Sequence, residues 1–111
     1  MAGPVNPLRL VHSPATQYED GEPIAAGDIA RYEYGFGTTQ GQYTTIKQDL
    51  NLTADENGKQ FFLVPSDLPD GQWYSAPRAV TKKGAVAEWG NEVPFVRAPK
   101  KPKPISDFSA A

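Results

Sequence analysis

His12 is the only histidine of this 111-residue chain, which has no cysteine. A hydrolytic triad would need this imidazole as the base beside a Ser or Thr nucleophile and a carboxylate. A metal site built on thiolates or on two histidines is excluded by composition. We interpret His12 as a residue packed at the end of a strand, and we predict no catalytic, cofactor-binding or metal-binding residues.

Two other patterns approach known binding sites without matching them. The glycines of residues 35–41 come close to a dinucleotide-binding fingerprint, but the run is one residue too long and leads into a β-type stretch rather than a helix. The acidic residues at 19–22 and 55–57 lack the alternating spacing of a calcium-binding loop. We interpret the first as a hairpin turn and the others as solvated turns, and we predict that the protein is not an enzyme.

Charge is unevenly distributed along the chain. Residues 1–96 hold 7 Lys and Arg against 12 Asp and Glu, whereas residues 97–111 hold 4 against 1. An acidic body disfavours broad binding to nucleic acid, which depends on phosphate neutralisation. No apolar run approaches the roughly 20 residues of a membrane helix, and no secretory signal is recognisable. We expect assembly in the cytosol and binding to neither nucleic acid nor membrane.

The pattern of apolar residues predicts short strands separated by turns. The chain has 10 glycines and 11 prolines, and no window keeps a helical period over three turns. The clearest strand is Ile29–Gly37, in which Tyr32, Tyr34 and Phe36 alternate with charged residues and glycine. The other predicted strands are Pro7–His12, Gln42–Lys47, Lys59–Val64, Gln72–Thr81 and Val86–Val96. Six or seven antiparallel strands at this spacing predict an all-β sandwich.

The end of the chain has a different composition. Between Ala98 and Pro104 proline alternates with lysine, which predicts an extended, polyproline-like segment because proline fixes φ and lacks an N–H donor. Two interpretations are open: a solvated tail, or an arm that docks on a neighbouring protein. In the second case the partner-binding residues would be Arg97, Lys100, Lys101, Lys103 and the apolar anchors Ile105 and Phe108.

Four sequence blocks, in order, resemble one family of sandwich domains. They are residues 14–24, residues 29–38, Leu68–Tyr74 with Ala79–Val80, and residues 84–93 with the ending Trp-Gly-Asn-Glu-Val. These blocks resemble the fibronectin type III domain in the version common in bacterial and phage proteins. The resemblance implies a fibronectin type III, immunoglobulin-like sandwich over residues 13–96. It lies between an N-terminal arm with the first strand (1–12) and a basic C-terminal arm (97–111).

The strand pattern and the resemblance together indicate which residues form the core. Tyr74 would act as a tyrosine corner, with its ring in the core and its hydroxyl bonded to backbone a few residues upstream. The expected core residues are Tyr32, Tyr34, Phe36, Leu68, Tyr74 and Val80. Core packing is also the preferred interpretation of Trp73.

Three features depart from the family pattern. His12 stands where the family has a tryptophan, and Pro77 interrupts a central strand, which predicts a bulge or a rearranged edge. Only residues 1–6 precede the first predicted strand, so the family's first strand is short or missing. The sheet edge that this strand would cover is then open or filled by another chain.

The resemblance and the two arms suggest a function. We expect a non-enzymatic structural protein of a phage virion, such as a capsid decoration (cement) protein or a tail accessory, with no cofactor. Its partners would be virion proteins such as the major capsid protein or tail components, or further copies of itself in a homo-oligomer. The alternative is a recognition module from a larger bacterial protein that binds carbohydrate or a cell-surface protein. Its exposed aromatic rings would be Tyr18, Tyr43, Trp73 and Trp89.

Overall fold

The structure, a computed structural model, describes residues 2–25 and 27–111. Its regular elements are β1 (Arg9–His12), β2 (Ile29–Gly37), β3 (Thr45–Asp49), β4 (Gln60–Leu63), β5 (Gly71–Thr81) and β6 (Val93–Arg97). β1 and β4 form one antiparallel sheet, and the other antiparallel sheet has the order β3-β2-β5-β6. The prediction of an all-β, immunoglobulin-like sandwich is confirmed. In the described ranges no helix is long and apolar enough to cross a membrane.

The core lies between the two sheets and is built on the aromatic face of β2. Tyr32, Tyr34 and Phe36 are 4%, 1% and 0% exposed, because alternate residues of a strand share one face. Phe62 of β4 closes the core from the opposite sheet and stacks on Tyr34, with ring centroids 4.6 Å apart. The other buried members of this cluster are Ile29, Leu68, Trp73 and Phe95.

The core position at the start of β5 belongs to Trp73, which corrects the expectation for Tyr74. Trp73 is 7% exposed, and its indole N–H donates to the Pro69 carbonyl at 2.8 Å across the preceding turn. Tyr74 is the next residue of the strand, so it faces the other way and is half-buried. Val80 is 2% exposed, but it lies outside the cluster between the sheets.

Pro77 lies inside β5 without interrupting its pairing with β2, where it stands opposite Tyr34. Its carbonyl accepts from the Gly90 N–H at 2.8 Å. The N–H and C=O of a strand residue point to the same side, so the missing donor falls on the side away from β2. On the side of β5 away from β2, the regular ladder with β6 begins only at Val93. Residues 85–90 run beside β5 and make only isolated backbone hydrogen bonds to it. The predicted strand Val86–Val96 is therefore regular only over β6.

Candidate docking surface

The outer face of the four-stranded sheet carries a cluster of paired charges and aromatic rings. Glu33 accepts from Nε of Arg31 at 2.9 Å and pairs with Arg78, whose Nη2 is 2.8 Å away. Burial by itself raises the pKa of Glu33, but the hydrogen bonds from both guanidinium groups outweigh it and the pKa is lowered. The Arg78 guanidinium also lies 4.1 Å from the centroid of the Trp89 ring. The charges of this face are thus satisfied within the fold.

The Tyr43 side chain belongs to the same cluster and packs over Gly35 of β2. A Cβ at Gly35 would lie 2.6 Å from Cγ of Tyr43, so the ring packs against bare backbone. The Tyr43 hydroxyl donates to Oε1 of Glu92 at 2.8 Å. Burial, followed by this bond, raises the pKa of Tyr43 to about 12. Tyr43 and Trp89 meet edge-on, with centroids 4.9 Å apart, and both are half-buried.

The His12 side chain is held at the end of β1. Its Nδ1 lies 2.8 Å from the Ser13 carbonyl and its Nε2 lies 2.8 Å from the Tyr34 hydroxyl. A carbonyl only accepts, so Nδ1 carries the proton and Nε2 accepts from the tyrosine. Burial lowers the pKa of His12, and the bond to Ser13 opposes this shift only in part. The neutral imidazole therefore has a structural role in joining β1 to β2.

One aspartate in each of the two predicted acidic turns bonds to local backbone. Asp20 accepts from the Glu22 N–H at 3.0 Å, and Asp55 accepts from the N–H groups of Asn57 and Lys59 at 2.8 and 3.0 Å. Such bonds are typical of Asx-type turns. Within residues 2–25 and 27–111, no group of three His, Asp or Glu lies close enough to hold a metal ion.

The N-terminal segment is held along the outer edge of β6. The Asn6 N–H donates to the Val96 carbonyl at 2.7 Å, and the Val96 N–H donates to the Pro4 carbonyl at 2.8 Å. Val5 forms a parallel bridge with Val96. The Asn6 side chain makes two further bonds with the backbone of Ala98, at 2.9 and 3.0 Å. The segment before β1 therefore pairs with the four-stranded sheet instead of extending the two-stranded one.

As a consequence, one edge of β1 has no partner strand in the part of the chain that the structure describes. The Leu8 carbonyl accepts from the Val64 N–H at 3.2 Å. With the register of the ladder, this bond shows which residues of β1 direct their backbone groups to β4. In an antiparallel ladder only alternate residues bond to a given neighbour. The N–H and C=O groups of Arg9 and Val11 therefore point away from β4, toward the open edge.

A groove of about 730 Å³ runs along this open edge, between β1 and the region where β5 and β6 meet. Most of its lining is apolar, and Arg9 is the one charged residue among its described lining residues. We call it the β1-edge groove, defined by Leu10, Val11, His12, Pro77, Val93 and Pro94.

The chain leaves the body after Ala98. Residues 99–111 are exposed throughout, and the apolar side chains of Ile105 and Phe108 are 80% and 94% exposed. The radius of gyration is 18.0 Å and the longest dimension is 73 Å, whereas a compact domain of this length has a radius of gyration of about 13 Å. An extended arm accounts for the difference.

The six predicted partner-binding residues divide into two sets. Arg97 is the last residue of β6; it is half-buried and donates to the Ser66 carbonyl at 3.2 Å. Lys100 lines a shallow depression beside Asn6 and Ser66. The other four, Lys101, Lys103, Ile105 and Phe108, project from the body with the arm.

A scan against family models gave no match for this chain, and searches of curated proteins and of solved structures gave no significant match.

Proposed function

We propose that this protein is a non-enzymatic structural subunit of a phage virion, of the fibronectin type III family. It would serve as a capsid decoration (cement) protein or a related accessory that docks on a scaffold protein through its C-terminal arm. The observation that carries the proposal is the exposed arm. It joins a basic Pro/Lys stretch and two apolar side chains to a body of opposite net charge.

The fold supports the family assignment. The sheet order β3-β2-β5-β6 corresponds to the order C′-C-F-G of immunoglobulin-like sandwiches, an architecture that fibronectin type III domains share. The four sequence blocks that resemble the family fall on the connection after β1, on β2, on β5 with the turn before it, and on the segment leading into β6.

The arm supports a binding role because its prolines limit the conformational entropy that is lost on docking. Exposed ion pairs formed by Lys101 and Lys103 would contribute less than about 1 kcal/mol each. Burial of Ile105 and Phe108 would contribute about 1.5–3 kcal/mol each, so the apolar anchors dominate the affinity. On a repeating lattice of scaffold proteins, many such weak contacts would sum through avidity.

Purified particles of the phage that encodes this chain provide the direct test. Quantitative mass spectrometry of gradient-purified virions is expected to find the protein at many copies per particle. A protein that is abundant in the lysate and missing from purified particles would overturn the proposal.

Rebinding to particles stripped of the protein then tests the arm. The variant Ile105→Ala/Phe108→Ala is expected to lose most of its occupancy. The matched control is Leu50→Ala/Val86→Ala, which truncates two exposed apolar side chains of the body that are 67% and 53% exposed. Equal occupancy by both variants would exclude docking through the arm.

Carbohydrate recognition by exposed aromatic rings has less support. Trp73 is buried, and one face of the Trp89 ring is covered by the Arg78 guanidinium. Tyr43 meets Trp89 edge-on, and Tyr18, at 36% exposed, lies on a different connection. Sugar stacking uses flat rings that face solvent, and these four side chains do not form such a row.

A further inference from the structure

We propose that the β1-edge groove binds the C-terminal arm of a second copy of this chain, and that residues 105–109 of this arm add to β1 as an antiparallel strand. The proposal goes beyond the virion role. It concerns copies of this chain in solution, where no scaffold protein competes for the arm, and its tests use the purified protein without particles.

The open edge of β1 offers the hydrogen-bonding groups that strand addition requires. The N–H and C=O groups of Arg9 and Val11 point away from β4, as the bond between the Val64 N–H and the Leu8 carbonyl fixes. Backbone groups at such an edge are a template for pairing with another chain. The groove beside this edge has a volume of about 730 Å³, which leaves space for an added strand.

One register matches the chemistry of the arm to that of the groove. Placing Asp107 opposite Arg9 pairs the only acidic residue of the arm with the charged residue of the groove. In an antiparallel strand this register also places Ile105 opposite Val11. These side chains are 80% and 51% exposed in the single chain, so their contact would bury apolar surface on both copies.

The neighbouring positions agree with the same register. Phe108 adjoins Asp107 and therefore faces the opposite way, on the same sheet face as Leu10. The register places it opposite Leu8, which is 74% exposed in the single chain. Pro104 falls opposite His12, whose backbone groups bond to β4. A residue at that position turns its own N–H away from β1, so the donor that proline lacks is not needed.

The course of the chain favours a second copy over the arm of the same chain. Ala98 is bonded to Asn6, close to the Arg9 end of β1, whereas an antiparallel arm must enter the groove at the His12 end. The same chain would have to run back along β1 within residues 98–104 and then reverse. The prolines at 99, 102 and 104 favour an extended course there instead.

A charge exchange tests the register in solution. We expect the mass of the wild-type protein, measured by light scattering over a concentration series, to increase with concentration. Arg9→Asp and Asp107→Arg should each raise the dissociation constant by roughly tenfold or more, because each places like charges opposite one another. Mixing the two variants should restore association, because the arm of the Asp107→Arg copy then meets the groove of the Arg9→Asp copy. A wild-type monomer up to roughly millimolar concentration overturns the proposal.

Proline substitution tests strand addition separately from charge. Val11→Pro removes an N–H that faces the groove and should weaken association by roughly tenfold or more. Leu63→Pro is the matched control, because the ladder directs the Leu63 N–H to the far edge of β4. Circular dichroism establishes that both variants fold. Equal association of the two variants would contradict strand addition at β1.

Disulfide trapping identifies the occupant, since the wild-type chain has no cysteine. Oxidation of a mixture of Val11→Cys and Ile105→Cys chains should give a covalent dimer in higher yield than a mixture of Leu50→Cys and Ile105→Cys chains. Equal yields would overturn the proposal. A chain that carries both Val11→Cys and Ile105→Cys and closes on itself as a monomer at high dilution would show that its own arm fills the groove, which also overturns it.

Discussion

The His12 imidazole donates to the Ser13 carbonyl and accepts from the Tyr34 hydroxyl, and it does so in its neutral form. Burial lowers its pKa in the folded state, whereas the unfolded chain carries a histidine with the ordinary value of 6.5. Below that value the unfolded state binds more protons than the folded state does. The stability contributed by His12 is therefore present above pH 6.5 and is lost as the pH falls through the lowered pKa of the folded state.

We predict that the free energy of unfolding, measured by urea denaturation, decreases between about pH 7.5 and about pH 5.5. His12→Gln should abolish most of this dependence, because no other histidine titrates in that range. An unchanged dependence in the His12→Gln variant would assign it to other groups.

Trp73 and Tyr74 provide a second prediction at this scale. Trp73→Phe removes the bond from the indole N–H to the Pro69 carbonyl and leaves a small void, so it should lower the free energy of unfolding by about 1–3 kcal/mol. Tyr74→Phe alters a half-buried side chain on the outer face and should change it by less than about 0.5 kcal/mol. A larger loss for Tyr74→Phe would restore the tyrosine-corner assignment.

At the scale of the elements, β2 illustrates what the sequence could predict. Its bounds, Ile29–Gly37, are those expected from the alternation of aromatic with charged residues, because one face of the strand is buried on the core. The identity of the residue that enters the core at β5 was not predictable in this way. Trp73 and Tyr74 are both aromatic, and only the register of β5 against β2 decides which one faces inward.

The other discrepancies have non-local causes. Pro77 removes a donor on the side of residues 85–90, which shortens the last strand to Val93–Arg97. The segment before β1 pairs with β6 through backbone bonds, and no apolar pattern in residues 2–6 indicates it. The open edge of β1 results from the bonds that residues 4–6 make to β6, and the groove beside it depends on how the two sheets meet.

Gly35 of β2 leaves room for the Tyr43 ring, which lies in the segment before β3. Gly35→Ala would place a Cβ 2.6 Å from Cγ of Tyr43 and should cost about 1–3 kcal/mol of unfolding free energy. In the Tyr43→Ala background the same substitution should cost clearly less, because the ring is gone. Equal costs in the two backgrounds would show that the ring is not the obstacle.

At the scale of the whole molecule, stability and extension come from different parts of the chain. Deleting residues 99–111 should change the free energy of unfolding by less than about 0.5 kcal/mol, because these residues are exposed throughout. Small-angle scattering under monomeric conditions should show the radius of gyration falling from 18.0 Å toward about 13 Å.

Deleting residues 2–6 is the contrasting case, since these residues carry bonds to β6 and to Ala98. This deletion should destabilise the fold by about 1–3 kcal/mol. A loss of stability on removing the arm, equal to that on removing residues 2–6, would mean that the arm packs on its own body.

The attachment of the arm to the body also has a mechanical consequence. A tensile load on the arm would enter the fold at Arg97 and pass along β6, which is bonded to β5 on one side and to residues 4–6 on the other. These hydrogen bonds lie roughly perpendicular to the strand, so pulling along β6 would shear them together instead of breaking them one after another. The arm would therefore transmit force into the fold through one of its most resistant connections.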